Sequence, residues 1–233
     1  MDSRLYNKTI ACPVCMKEFQ ATRVKSNASK ISSIDTDFCI YYEGINPFLY
    51  DVWVCEHCGY AAQNEKFDKI TIKDSKLILS TITPKWTQRS FAGERTIDQA
   101  LESFKLALIN LDARKGKPSE YAKVCLRIAW LYRLLGDSKE NIFLKYTADN
   151  YTKAFQTERF PLDKLDENTC MYTIAELNRR IGNFEEAAKW FSSIISSPDA
   201  RKDTKLLEKT REQYQLTKDA MGQDKPSTDS QEE

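Results

Sequence analysis

Four of the seven cysteines stand in two pairs of one form, Cys12-Pro-Val-Cys15 and Cys55-Glu-His-Cys58. Two C-x-x-C pairs have the spacing of a four-cysteine tetrahedral metal site, and no other feature narrows the fold so much. Such a turn must aim two sulfurs at one ion. Pro13 presets the backbone of the first turn. Gly59, just after the second pair, tolerates the left-handed conformation that closes it, whereas Met16 stands in the equivalent place of the first. The 39 residues between the pairs leave room for strands that return one pair to the other. Doubling a loop raises its closure free energy by only about 0.6 kcal/mol, against on the order of 10 kcal/mol from a structural zinc. We therefore expect one structural zinc per chain on Cys12, Cys15, Cys55 and Cys58.

Four thiolates fill zinc's coordination and leave no place for water or substrate, which is the pattern of a structural site. His57 is the chain's single histidine and lies between two ligands; it is expected to face solvent. Cys39 reads as a small buried hydrophobe, and Cys125 and Cys170 as packing residues of helices. An odd cysteine count fits reduced thiols better than a disulfide framework. No apolar run exceeds five residues, and the first residues lack the apolar core of a secretory signal, so a cytoplasmic protein with no membrane span is expected.

The expected fold class is α+β: a small β zinc ribbon over residues 1–62, a connecting segment with short helices over 63–95, an all-α tetratricopeptide-like region over 96–221, and a disordered polar tail over 222–233. Strands are expected near 4–11, 18–25, 37–42 and 48–54, where β-branched and aromatic residues cluster between turn formers. Weak helices are expected at 64–70 and 74–83. Thr96 with Gln99 forms a capping box that opens a helix to about residue 113. Further helices are expected at 119–136, 139–159, 164–181, 184–196 and 199–220, divided by Gly136, Pro161, Gly182 and Pro198.

Ile174, Ala175 and Asn178, then Gly182, then Phe184, Ala187, Phe191 and Ile194 follow the pattern of a tetratricopeptide helix pair. Ile128, Ala129, Tyr132, Gly136, Tyr151 and Ala154 form an earlier copy, with Ile97, Ala100, Phe104 and Ala107 as a partial one. In that register Lys123, Leu126, Trp130 and Arg133, then Tyr172, Glu176, Arg179 and Arg180, line a concave groove. Its aromatic and guanidinium groups suit an acidic or C-terminal peptide.

Cys12-Pro-Val-Cys15, Asp35-Thr-Asp-Phe-Cys39, the long block from Gly44 to Ala62 and Phe91-Ala-Gly-Glu-Arg-Thr96 together resemble a bacterial family defined as a domain of unknown function. The resemblance covers most of the chain. It implies a bacterial, Firmicute-like, cytoplasmic protein and supplies no activity. Met16 occupies a place where relatives usually have Gly.

The reading is a non-enzymatic zinc-bound scaffold or adaptor whose helical surface binds another protein. Nucleic-acid binding through the ribbon is the alternative, with Lys17, Arg23, Lys25 and Lys30 beside Tyr41 and Tyr42. Charge argues against it: Lys+Arg total 35 against Asp+Glu 34, and residues 1–62 hold six cations and seven acids. A metal-dependent enzyme using Asp35, Asp37 and Asp51, with Glu43, is a third class. Asp35 and Asp37 are better read as turn caps, and Asp51 as an acceptor for backbone N–H groups of the knuckle.

Overall fold

The computed structural model describes residues 2–223. The chain divides into two compact units, one ending at Phe143 and one starting at Leu144. The expected boundaries at 62 and 95 do not separate compact bodies. The β region and the helices that follow it share a core, for the reason given below.

The first unit opens with an antiparallel hairpin, β1 (Leu5–Ala11) and β2 (Glu18–Val24), with Ala11 opposite Glu18 at the closed end. A second hairpin pairs β3 (Ser29–Ile34) with β4 (Ile40–Gly44). A third pairs β5 (Val52–Val54) with β6 (Ala61–Gln63). The expected strand over 48–54 begins instead as a 3-10 turn, Pro47–Tyr50, capped by the Asn46 side chain, which accepts from the Phe48 N–H. Residues 64–70 hold only a 3-10 turn, Phe67–Lys69, in place of the expected helix.

Three helices complete the unit: α1 (Ile72–Thr81), α2 (Ile97–Arg114) and α3 (Pro118–Leu135). The Thr96–Gln99 capping box forms as read, satisfying backbone donors at the start of α2 from both directions. Strand alternation then decides the packing. Val52 and Val54 point one way, into a core with Phe104, Ala107, Leu111, Ile128 and Leu131 of α2 and α3. Trp53 points the other way, into a core with Phe19, Phe67, Ile78 and three of the paired cysteines. Burying each valine contributes about 1.5–3 kcal/mol, so β5 is held from both faces.

Arg95 ties this wall to the helices. It is 6% exposed, donates from Nη1 to the Leu49 and Val52 carbonyls and from Nε to that of Phe91, and lies over the rings of Tyr50 and Phe91. Burial pulls its guanidinium down to about 10, which leaves it charged at neutral pH.

Helix α4 (Lys139–Thr157) crosses the division. The second unit continues with α5 (Glu167–Arg180), α6 (Phe184–Ser196), a 3-10 turn at Asp199–Lys202 and α7 (Thr204–Gln223). Here α5 packs on α6, and α6 on α7, around Tyr172, Ile174, Leu177, Ala187, Phe191 and Ile194. Of the polar tail expected from residue 222, residues 222 and 223 close α7 and the rest lie outside the described residues. No helix among the described residues is long and apolar enough to cross a membrane.

Candidate metal centre

Each C-x-x-C turn closes the end of a hairpin, β1–β2 for the first and β5–β6 for the second, and the two turns are built alike. The N–H of Cys12 donates to the Lys17 carbonyl and that of Met16 to the Cys12 carbonyl; the N–H of Cys55 donates to the Tyr60 carbonyl and that of Gly59 to the Cys55 carbonyl. Met16 and Gly59 both take the left-handed backbone, at φ 61° and 75°. Gly59 has a second reason to lack a side chain: a Cβ there would lie 2.7 Å from the Trp86 ring.

The four sulfurs converge, all within 4.8 Å of one another. Cys12 Sγ lies 3.7 Å from Cys58 Sγ, and Cys15 Sγ 3.6 Å from Cys55 Sγ. A regular tetrahedron of metal–sulfur bonds of about 2.3 Å has edges of about 3.8 Å, so this chain's sulfurs fit a four-coordinate ion. Cys12, Cys55 and Cys58 are fully buried, and Cys15 is half-buried. Crowding sets the thiols apart in acidity. Hydrogen bonding among the sulfurs pushes Cys12 and Cys58 well up and holds Cys55 down. A divalent cation would compensate thiolate charge, and ligation requires all four as thiolates.

The second knuckle is gripped from outside. Trp86 lies over Gly59 and donates from Nε1 to the Glu56 carbonyl at 2.7 Å. Thr83 Oγ1 donates to the Cys58 carbonyl, and Asn110 Nδ2, from α2, to that of Gly59. His57 does not simply face solvent: its Nε2 donates to the Glu18 carbonyl at 2.9 Å, joining the second knuckle to the first hairpin. Sequence reasoning missed these supports. Only Asn110 had a local signal, as a polar residue on the apolar stripe of Ala100, Phe104, Ala107 and Leu111.

The acids and the expected groove residues meet at a different place. Asp37 is fully buried in the β3–β4 loop, receiving two bonds from Arg133 and one from Trp130 Nε1 at 3.0 Å. Arg133 also reaches Asp35 and Glu140. Burial by itself would lower the Arg133 pKa; the carboxylates of Asp37 and Glu140 outweigh it and hold it above the ordinary arginine value. Trp130, 4% exposed, stacks on Phe48, and Arg127 lies over both rings while pairing with Asp51. Asp51 therefore faces a guanidinium rather than backbone N–H groups. Asp35 and Asp37 do cap the loop as read, accepting from Thr36 N and Cys39 N, but their main partner is Arg133.

The groove residues are accordingly reassigned. Trp130 and Arg133 are seam residues between the β region and α3. Tyr172 is fully buried against Phe191. Arg179 and Arg180 fold back onto Glu176, which is itself fully buried. Lys123 pairs with Glu65. Within the first unit the face of Trp130 and Arg133 is covered by Phe48, Asp35 and Asp37, which are far away in sequence. Cys39, Cys125 and Cys170 are buried as expected, and burial pushes each thiol up to about 12. The ribbon cations are dispersed: Arg23 lies over Trp53, Lys25 donates to the Ser3 carbonyl and Lys30 faces Glu43.

A family model described as an uncharacterized protein conserved in bacteria, DUF2225, matches residues 5–217. The chain belongs to DUF2225. The match takes in both knuckles, α1 to α6 and most of α7. An uncharacterized protein of Borreliella burgdorferi is similar to this DUF2225 chain, 24% identical over an alignment 182 residues long that covers 69% of this chain and 64% of that protein. The chain thus spans less than two thirds of that relative's length. No solved structure matches. Neither description names an activity for DUF2225.

Proposed function

We propose that this chain is a non-enzymatic scaffold, built around one structural zinc, whose helical region docks another protein. The observation that carries the reading is the closed set of four sulfurs: Cys12, Cys15, Cys55 and Cys58 fill a tetrahedron of zinc's size and leave no position for substrate. Zinc is favoured because an all-thiolate tetrahedron suits a borderline-soft ion without geometric preference. Asp35 and Asp37 are engaged with Arg133, and Asp51 with Arg127.

The helical region is read as tetratricopeptide-like. Supporting this, Ile174, Ala175, Ala187, Phe191 and Ile194 are fully buried where α5 meets α6. Small residues at such positions let paired helices approach closely. Trp130 and Tyr172 are buried, so the aromatic part of the expected groove is not offered to that partner.

The test has two parts. Elemental analysis and native mass spectrometry of protein purified without chelator should give one zinc per chain; substoichiometric metal would sink the zinc reading. Affinity capture from a native bacterial lysate should retain a defined protein on the metal-loaded chain and lose it with Cys55→Ser. Recovery of nucleic acid in place of protein would overturn the adaptor reading.

A further inference from the structure

The two knuckles share a plan but are not held equally, and the zinc reading gives that difference a consequence. Resting on that reading, we propose that the centre opens by its first knuckle: Cys15 is the thiolate that leaves the ion first and the one at which soft electrophiles attack.

The second knuckle is fixed on three sides. Trp86 closes over Gly59 and bonds Glu56, Thr83 bonds Cys58, and Asn110 bonds Gly59. To release Cys55 or Cys58, the knuckle must shed bonds to the segment before α2 and to α2 itself. Among the described residues, the backbone of Pro13–Lys17 is bonded only within its own turn, by Cys12 N to Lys17 O and Met16 N to Cys12 O. Val14, 6% exposed, anchors the middle of that turn in the core and keeps Cys12 with it. The outer half of the turn is left: Cys15, half-buried, followed by Met16 at 77% exposure with a left-handed backbone. A non-glycine residue pays for that conformation, so the turn relaxes when its last ligand lets go.

Detachment breaks the Zn–S bond of Cys15. The sulfur keeps the electron pair as a thiolate, and a water or competing ligand takes the fourth position. With iodoacetamide the sulfur forms an S–C bond, the C–I bond breaks and iodide leaves with its pair. No oxidant or reductant takes part.

The experiment uses the full chain loaded with zinc and checked by native mass spectrometry. Limiting iodoacetamide is added, labelled cysteines are located by peptide mapping, and zinc release to a chromogenic chelator is followed in parallel. The first label should fall on Cys15, ahead of Cys55 and Cys58. Met16→Gly should slow labelling and release by roughly five-fold, the scale of relieving one left-handed residue. Trp86→Phe, which removes the bond to Glu56, should leave Cys15 first. Labelling of Cys55 or Cys58 before Cys15, or equal labelling of all four, overturns the proposal while leaving the zinc reading intact. So does simultaneous labelling of Cys125, which would mean global unfolding. A chain without zinc overturns both.

Discussion

Arg133 and Asp37 bring opposite charges into a site that excludes water, where neither is tolerable without the other. Asp37 is fully buried and the Arg133 side chain is 11% exposed. Replacing Arg133 with Met fills similar space but leaves the carboxylate unpaired. The expected loss is about 3–5 kcal/mol in urea denaturation, with partial recovery in the Arg133→Met/Asp37→Asn double variant. A loss below about 1 kcal/mol would mean that water reaches Asp37. Gly59→Ala carries two separate penalties, the left-handed backbone and the 2.7 Å approach to Trp86. Together they should cost about 2–4 kcal/mol, read as a lower urea midpoint of the metal-loaded protein. At this scale the convergence of the four paired cysteines was legible, because two C-x-x-C pairs have the spacing of a tetrahedral site. The partners of Trp130 and Arg133 were not. Helix periodicity placed them on one face of α3, and nothing local says that the β3–β4 loop covers that face.

Helix ends were legible to within a few residues wherever side chains cap them. Asp166 illustrates the rule at α5: its carboxylate accepts from Thr169 N and from Thr169 Oγ1. Partial burial alone would raise its pKa, but these bonds outweigh it and hold the carboxyl below the usual range. The sign follows directly. A depressed folded pKa contributes stability above the unfolded value, and the contribution fades as pH falls through the folded one. Asp166→Ala should therefore cost about 0.5–1 kcal/mol at neutral pH, at the low end because the site is exposed to solvent. The gap to wild type, measured by urea midpoints, should narrow below about pH 4. A gap unchanged on acidification would assign the effect to the neutral hydrogen bonds. The short strands were harder to read. β3 is exposed along nearly its whole length, so Ser29–Ile34 gives no alternation of apolar and polar residues. β6 has only three residues, and the aromatic residues of Pro47–Tyr50, which suggest a strand, belong to a 3-10 turn that Asn46 caps.

For the whole molecule, the expected pattern was an independent ribbon beside self-sufficient helices. β5 changes that expectation, since Val52 and Val54 belong to the same core as α2 and α3. Chelating the metal, or Cys55→Ser, should therefore loosen more than the ribbon. Hydrogen exchange should speed up across the three hairpins and along the faces of α2 and α3 that meet β5, while α5–α7 keep their protection. Protection retained throughout α2 would show that these helices need no support from β5.

The pairing of Arg133 with Asp37 spans 96 residues, and that distance is also an interval of time. At roughly 5–20 residues per second, a ribosome takes on the order of 5–20 s to make the arginine after the aspartate. Until then the β3–β4 hairpin carries a carboxylate that it cannot bury. The knuckles complete their set of four cysteines much earlier in synthesis. In the nascent chain the order of events is thus written into the sequence: the sulfur site can close first, and the hairpin beside it stays open to water until the last turns of α3 have been made.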